Sequence, residues 1–235
     1  MEGKISKLFL SAMVAGVIVL GVPSAQADTF TFTSCEASTG CVAGATYGTV
    51  TLTQNGANVD VTVNLTGSVG TSNFVQTGAG GQEMFLFNST VAVGGVTGLT
   101  LDTGTPAGGL SGFTNISPAV VPDGGTLGSF NGSIECTVSS QCNGNSGVLG
   151  SILSFTINSA TLAQLETANA AGVIFLADIA IMQNGLNTGT VDVSAGPNPV
   201  PLPGAFLLFG TVVLGGLGAS GLRKRRQRGP VSVIA

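Results

Sequence analysis

Three stretches of strict alternation constrain the fold of this chain most. They are TFTFT (29–33), YGTVTLTQ (47–54) and NVDVTVNLT (58–66), in which apolar residues alternate with Thr, Asp and Asn. Successive side chains of a strand point to opposite faces, so this alternation predicts strands with one buried and one solvated face. The NGAN between the last two stretches predicts a hairpin turn.

Further strands are predicted along the chain between clusters of Gly, Asn, Asp and Pro: 83–88, 96–102, 128–136, 148–158, 172–182 and 188–195. Many short strands with turn signals at close spacing indicate a mainly β fold, an antiparallel β-sandwich or jelly roll. The segments 67–81 and 103–125 are rich in Gly, Ser and Thr and are predicted to be loops. A ligand of this domain would be sought there first.

One short helix is predicted to interrupt the strands. Thr161 and Gln164 have the spacing of a capping box, and Leu162, Leu165 and Ala168 then share one face until Gly172. We expect this helix to close one end or edge of the sandwich.

The C-terminal region has the pattern of a single transmembrane helix. Residues 204–222 are free of charge, and 19 helical residues span roughly 28 Å, about one bilayer core. A membrane stop follows at once, formed by Arg223, Lys224, Arg225 and Arg226. Basic clusters stay on the cytoplasmic side, so residues 223–235 are predicted to be a cytoplasmic tail.

The N-terminal region has the pattern of a secretory signal peptide, residues 1–27. Lys4 and Lys7 precede a mostly apolar run, and Ala25 and Ala27 fit the small-x-small cleavage pattern, so the mature chain is predicted to begin near Asp28. An uncleaved anchor is the alternative. In both cases residues 28–196 form an exported domain.

Residues 197–203 are a Pro-rich spacer that ends in Val200, Pro201, Leu202 and Pro203. This motif, followed by an apolar Gly-rich span and an Arg-rich cluster, resembles the PEP-CTERM sorting signal of Gram-negative bacteria, in its VPLPA variant. Leu202 stands where the name-giving Glu would be, and nine residues follow the basic cluster.

The resemblance implies recognition of the motif by exosortase, a membrane cysteine protease. It implies export across the inner membrane, transient anchoring by the C-terminal helix, and then a place at the cell surface or outside the cell. Proteins of this kind accompany exopolysaccharide and biofilm matrix, so extracellular polysaccharide is a further expected partner.

Between Asp28 and Leu222 the chain has ten acidic residues and no Lys, Arg or His. Nucleic-acid binding depends on Lys and Arg contacts to phosphate, so this partner is excluded. Ser-His-Asp or Cys-His catalysis and imidazole metal sites are excluded as well. We expect no cofactor and no metal. The acids are scattered without an Asp-x-Asp-x-Asp run, which favours loosely bound surface cations over a calcium cage.

The four cysteines form two matching pairs, Cys35 with Cys41 and Cys136 with Cys142. An even count in an exported chain predicts disulfides, and three connectivities are open. Pairing within each local pair is preferred because nearby partners meet more readily, whereas long-range pairing would constrain the unfolded chain more. Zinc binding by four thiolates is the remaining alternative, although zinc sites normally use closer spacing.

Asp102, Thr103 and Gly104 follow an apolar stretch and resemble the signature of aspartic proteases. Such enzymes need two Asp residues that share a proton, and the chain has one such motif, so a homodimer would be required. An Asp-Thr-Gly at the end of a strand is also an ordinary turn.

The sequence therefore predicts a non-catalytic, exosortase-processed protein of the cell surface or biofilm matrix. A glycan-binding or adhesive module is one alternative, although the chain lacks Trp and has only Tyr47 to stack on a sugar. A secreted hydrolase that depends on the Asp102 carboxylate is the other.

Overall fold

The computed structural model describes residues 26–36, 41–75, 83–104, 109–122, 125–137, 149–181 and 187–194. It is mainly β, with antiparallel sheets and one helix of four residues, as the sequence predicts. The elements are β1 (Ala27–Phe32), β2 (Ser34–Cys35), β3 (Gly48–Asn55), β4 (Asn58–Asn64), β5 (Thr66–Gly67), β6 (Gly70–Thr71), β7 (Asn73–Phe74), β8 (Glu83–Phe87), β9 (Val96–Leu101), β10 (Leu110–Phe113), β11 (Gly132–Cys136), β12 (Ile152–Ile157), α1 (Leu162–Leu165), β13 (Val173–Ile181) and β14 (Asn187–Ser194).

Two sheets form the sandwich-like body. The front sheet has the strand order β1-β3-β4-β12-β9, and the back sheet has the order β10-β11-β8-β13-β14-β2, with β7 also paired to β13. A two-stranded ribbon of β5 and β6 stands beside them. In β3, β4 and β12 buried positions alternate with more exposed ones. The alternation of apolar and polar residues in the sequence therefore matches the alternation of buried and exposed side chains.

The main core lies between the sheets and contains a cluster of phenylalanine rings. Phe85 lies at the centre, with ring centroids 6.3 Å from Phe87, 6.0 Å from Phe155 and 5.9 Å from Phe175. Phe30 meets Phe175 edge to face at 5.3 Å. These offset and tilted contacts are the geometries that aromatic rings prefer.

The back sheet is covered on both faces. A second apolar cluster on its outer side joins Leu86 and Leu176 of neighbouring strands to Leu127 and Phe130. Phe130 is held there by a β-bridge to Val120. All nine residues of β13 are therefore buried, which explains why its sequence is a nearly continuous apolar run.

The two sheets approach each other at their edges, where β9 contacts β10 and β1 contacts β14. A Cβ on Gly112 of β10 would lie within 3 Å of the side chain of Val96 in β9. A glycine is thus needed where these edge strands meet.

The structure corrects the predicted extent of the helix. It ends at Leu165 instead of reaching Gly172. The side chain of Asn169 accepts hydrogen bonds from the backbone N–H groups of Ala171 and Val173, at 3.0 and 3.1 Å. Asn side chains offer the backbone this alternative to helical bonding, and a turn leads directly into β13.

The two segments predicted as loops also contain strands. Leu110–Phe113 is the outer strand of the back sheet, and the two-residue strands β6 and β7 lie within the first segment. Pairing with β11 and β13 organises residues whose own sequence pattern is weak. Tertiary contact thus overrides local composition here.

No helix among the described residues is both long enough and apolar enough to cross a membrane. The predicted transmembrane helix 204–222 and tail 223–235 lie outside those residues, as do the spacer and sorting motif and the signal peptide up to Ala25. Ala27 of the predicted cleavage site is described and is the first residue of β1, paired with Thr53.

Candidate functional site

Asp102 lies directly after β9 and ties this edge strand to the start of β12. Its carboxylate accepts hydrogen bonds from the N–H and the hydroxyl of Ser151, both at 2.9 Å, and from the N–H of Thr103 at 3.1 Å. The backbone N–H of Asp102 donates to the carbonyl of Ile152 at 3.0 Å. A Cβ on Gly150 would collide with the carboxylate, so a glycine is required beside it.

These contacts favour an ionised Asp102. Partial burial opposes ionisation, but the hydrogen bonds from Ser151 and the backbone groups outweigh it and lower the pKa of Asp102. Within the described residues, no second carboxyl group affects this pKa. Gly104 closes a turn, with φ of 88° and its N–H bonded to the carbonyl of Leu101 at 3.0 Å. The described surroundings of Asp102 are those of an anchored turn.

A second carboxyl site lies where β1 meets the end of α1, and sequence reasoning missed it. Asp28 and Glu166 place their side chains against each other. Asp28 is 2% exposed, and its Oδ1 receives no hydrogen bond from the surrounding backbone or neutral side chains. The same is true of the buried Oε1 of Glu166.

The position of Asp28 in the alternation is the signal that reveals this pair. Asp28 has the same parity as Phe30 and Phe32, and all three face the core. Glu166 caps the C-terminal end of α1, with its N–H bonded to the carbonyl of Leu162 at 3.0 Å.

The environment of the pair holds a proton on Glu166. Burial, and then the hydrogen bond and negative charge of Asp28, raise the pKa of Glu166 to about 7. A protonated Glu166 avoids a second negative charge beside the buried Asp28.

Two further acids are buried in the back sheet. Asp178 of β13 is paired in register with Thr190 of β14, and Asp192 lies opposite Leu176 and Ser34. Burial raises the pKa of Asp192, and hydrogen bonds from Ser194 and Ser34 partly oppose this rise. Ser194 Oγ donates to Asp192 Oδ2 at 2.9 Å.

The outer face of the front sheet carries an unbroken line of hydroxyl groups, which we name the hydroxyl row. Its members are neighbours in register on five successive strands: Thr29, Thr51, Thr62, Ser154 and Thr100. The hydroxyls of Thr29 and Thr51 are 3.2 Å apart. Adjacent strands are about 4.8 Å apart, so the row presents regularly spaced donors and acceptors to solvent.

Within the described ranges, no group of three or more His, Cys, Asp or Glu side chains is arranged to hold a metal ion. Tyr47 is 1% exposed, and its hydroxyl oxygen accepts from the N–H of Val42 at 2.6 Å. The phenol ring is therefore part of the core and presents no face for a sugar ring.

The preferred local disulfide pairing is confirmed for the first pair. Cys35 is bonded to Cys41, with a Cα–Cα distance of 5.7 Å. Cys136 is also disulfide-bonded. Zinc binding by four thiolates is therefore wrong. Cys142 lies outside the described residues.

The predicted sorting motif Val200 to Pro203, the basic stop Arg223 to Arg226 and Ala25 lie outside the described residues. Comparison of the chain with models of protein families, with curated proteins and with solved structures gives no match.

Proposed function

We propose that this chain is an exported, non-catalytic protein of the cell surface or extracellular matrix of a Gram-negative bacterium. Signal peptidase releases its N-terminus and exosortase processes the motif at Val200 to Pro203. In the mature form a disulfide-bonded β domain contacts extracellular polysaccharide or remains attached to the surface.

The Cys35–Cys41 disulfide is the structural observation that carries the proposal. Disulfides form and persist mainly in oxidising compartments outside the cytoplasm. Cys35 lies in β2, which is only two residues long and therefore forms few ladder hydrogen bonds at this edge of the back sheet. A covalent link stabilises such an edge.

Three acids of the described domain support a non-catalytic role. Asp102 anchors a turn, Asp192 is hydrogen bonded to neighbouring serines, and Asp60 accepts from Thr156 and Asn55 at 2.7 and 2.9 Å. Each of these carboxylates serves the architecture of a sheet or turn.

The sorting motif is tested by substitution in the producing bacterium. Pro201→Ala combined with Pro203→Ala alters the motif, whereas Pro197→Ala alters only the spacer. We expect the double variant to accumulate in the inner membrane and the Pro197→Ala protein to reach the cell exterior like the wild type. Equal export of both variants would contradict recognition at this motif.

The hydroxyl row favours a second candidate, a module that binds neutral glycan. Its side chains both donate and accept hydrogen bonds, as sugar hydroxyls do, and the front sheet offers no positive charge to an acidic polymer. Retention on a column of the bacterium's own exopolysaccharide tests this candidate. Thr51→Val with Thr62→Val should reduce retention, whereas Thr90→Val, away from the row, should not. Passage of the wild type in the void volume would remove this candidate.

A further inference from the structure

The Asp28–Glu166 pair lies in a domain that contains no basic side chain. Between Asp28 and Leu222 there is no Lys, Arg or His. Each partner of the pair has a buried oxygen that receives no hydrogen bond from the rest of the domain, and Asp28 is 2% exposed. A buried carboxyl pair of this kind is stabilised by a cation, and no side chain of the domain can supply one.

Cleavage after Ala27 supplies a cation at this place. It makes Asp28 the first residue, with an α-ammonium group that ordinarily titrates at about pH 7.7–8.0. This nitrogen is joined to the side-chain carboxyl carbon of Asp28 through Cα and Cβ alone. The new charge therefore lies within a few ångströms of the pair in every rotamer of Asp28.

We propose that the Asp28–Glu166 pair is a binding site for the amino terminus that signal-peptide cleavage creates. This inference rests on the proposed cleavage after Ala27. The α-ammonium donates to the two carboxyl groups, favours the ionised form of Glu166, and holds β1 at the edge of the front sheet.

The backbone register fits this arrangement. Gln54 N–H donates to the carbonyl of Gln26 at 2.9 Å, so residues 26 and 54 form a hydrogen-bonded pair of the antiparallel ladder. Such pairs recur every second residue, which makes Asp28 and Leu52 the next one. After cleavage, one N–H of the Asp28 ammonium group still donates to the backbone carbonyl of Leu52. The other two N–H groups are then available to donate to the carboxyl groups.

The charged surroundings of Glu166 are simple. Asp28 of β1 is the group whose charge acts on Glu166, and α1 has no acidic residue in its first turn and no basic residue in its last. From β3 comes the neutral side chain of Gln54, whose Oε1 accepts from Leu162 N–H at 3.1 Å. A positive charge at Asp28 therefore acts on Glu166 without competition from another cation of the domain.

Carboxyl-carbon NMR of two chains that lack the signal peptide and keep the C-terminal region tests the inference. Both span Asp28 to Ala235 in detergent micelles; one has a free amino terminus and the other is acetylated there. Glu166→Gln identifies the Glu166 resonance. In the acetylated chain Glu166 should titrate near 7, and in the free chain its proton affinity should be at least tenfold lower. Equal titration of Glu166 in both chains would overturn the inference.

A chain that begins at Ala27 is the matched control, and it also tests the inference if the acetylated chain does not fold. It carries a free ammonium group, but a shift of one residue along a strand places that group on the opposite face of the sheet. Glu166 should then titrate as in the acetylated chain. A titration like that of the Asp28 chain would show that any nearby terminal charge suffices, which contradicts a specific site.

This experiment uses chains with defined ends and so is independent of export. The N-terminal sequence of the exported protein tests the cleavage itself. A start at another residue would refute cleavage after Ala27 even if the ammonium lowers the pKa of Glu166 in the purified chain.

Discussion

Asp102 accepts two hydrogen bonds from a single residue, Ser151, one from its backbone N–H and one from its hydroxyl, each at 2.9 Å. The carboxylate thereby links the end of β9 to the residue before β12. The bonds form only when the carboxylate is placed beside Gly150, where any larger residue would collide with it.

Replacing Asp102 by Asn should lower the free energy of unfolding at pH 7 by about 1 kcal/mol, because hydrogen bonds to a charged and largely exposed acceptor are weakened. The folded pKa of Asp102 is lowered, so its contribution is present above the unfolded value of about 3.9 and is lost as pH falls through the folded value. Urea titrations at pH 7 and pH 3 measure this. Equal differences between wild type and variant at the two pH values would contradict the anchoring role.

Asp192 should show the opposite pH dependence. Burial raises its folded pKa, so its contribution to stability falls as pH rises from the unfolded value towards the raised folded value. Asp192→Asn keeps an oxygen for Ser194 and removes the charge. The variant should therefore gain stability relative to the wild type as pH rises from about 4 towards the raised folded pKa. Thermal melts across this range measure the gain, and a constant difference would refute it.

Gly48 is required by its backbone. Its φ is +150°, and a Cβ there would collide with the backbone carbonyl of Asn64. Gly48→Ala should cost about 2–4 kcal/mol in urea denaturation. Gly95 has open space at its Cβ and serves as the control, with an expected change within about 0.5 kcal/mol. Similar effects at the two sites would contradict the close approach.

The Phe85 ring is the centre of the core. It contacts three other rings, so Phe85→Ala should reduce the free energy of unfolding by about 3–5 kcal/mol. Phe113 on the outer strand of the back sheet is 44% exposed, and Phe113→Ala should cost about 0.5 kcal/mol. A small loss at Phe85 would place the core elsewhere.

The Cys35–Cys41 disulfide closes a loop with a sequence separation of six. Replacing both cysteines by Ser should cost about 2 kcal/mol, because the loop-entropy relation gives this value for a loop of this size. Chemical denaturation of the double variant under oxidising conditions measures the loss. An unchanged midpoint would mean that the link adds nothing to the packing of β2.

The nine predicted strands all occur, with ends that differ by a few residues. Their signal is strong because one face is buried, as in β3 and β4. β10 was missed because Leu110, Ser111, Gly112 and Phe113 have no such period, and contact with β11 and Val96 makes the strand. The helix was overextended because Ala168 continues the apolar spacing while Asn169 forms a turn.

Site prediction from sequence succeeded where a residue's neighbours in the chain decide its chemistry. The local Cys35–Cys41 pairing follows from spacing. Asp102 was recognised as a candidate, but only the fold supplies Ser151 as its partner. Asp28 and Glu166 are far apart in the sequence, and only the fold brings their side chains together.

The most direct test of the account is the intact mass of the protein recovered from the cell exterior of the producing bacterium. Export with processing at both ends predicts a chain that begins at Asp28 and lacks residues 204–235. A mass that corresponds to a chain still carrying residues 204–235 would contradict the proposed processing.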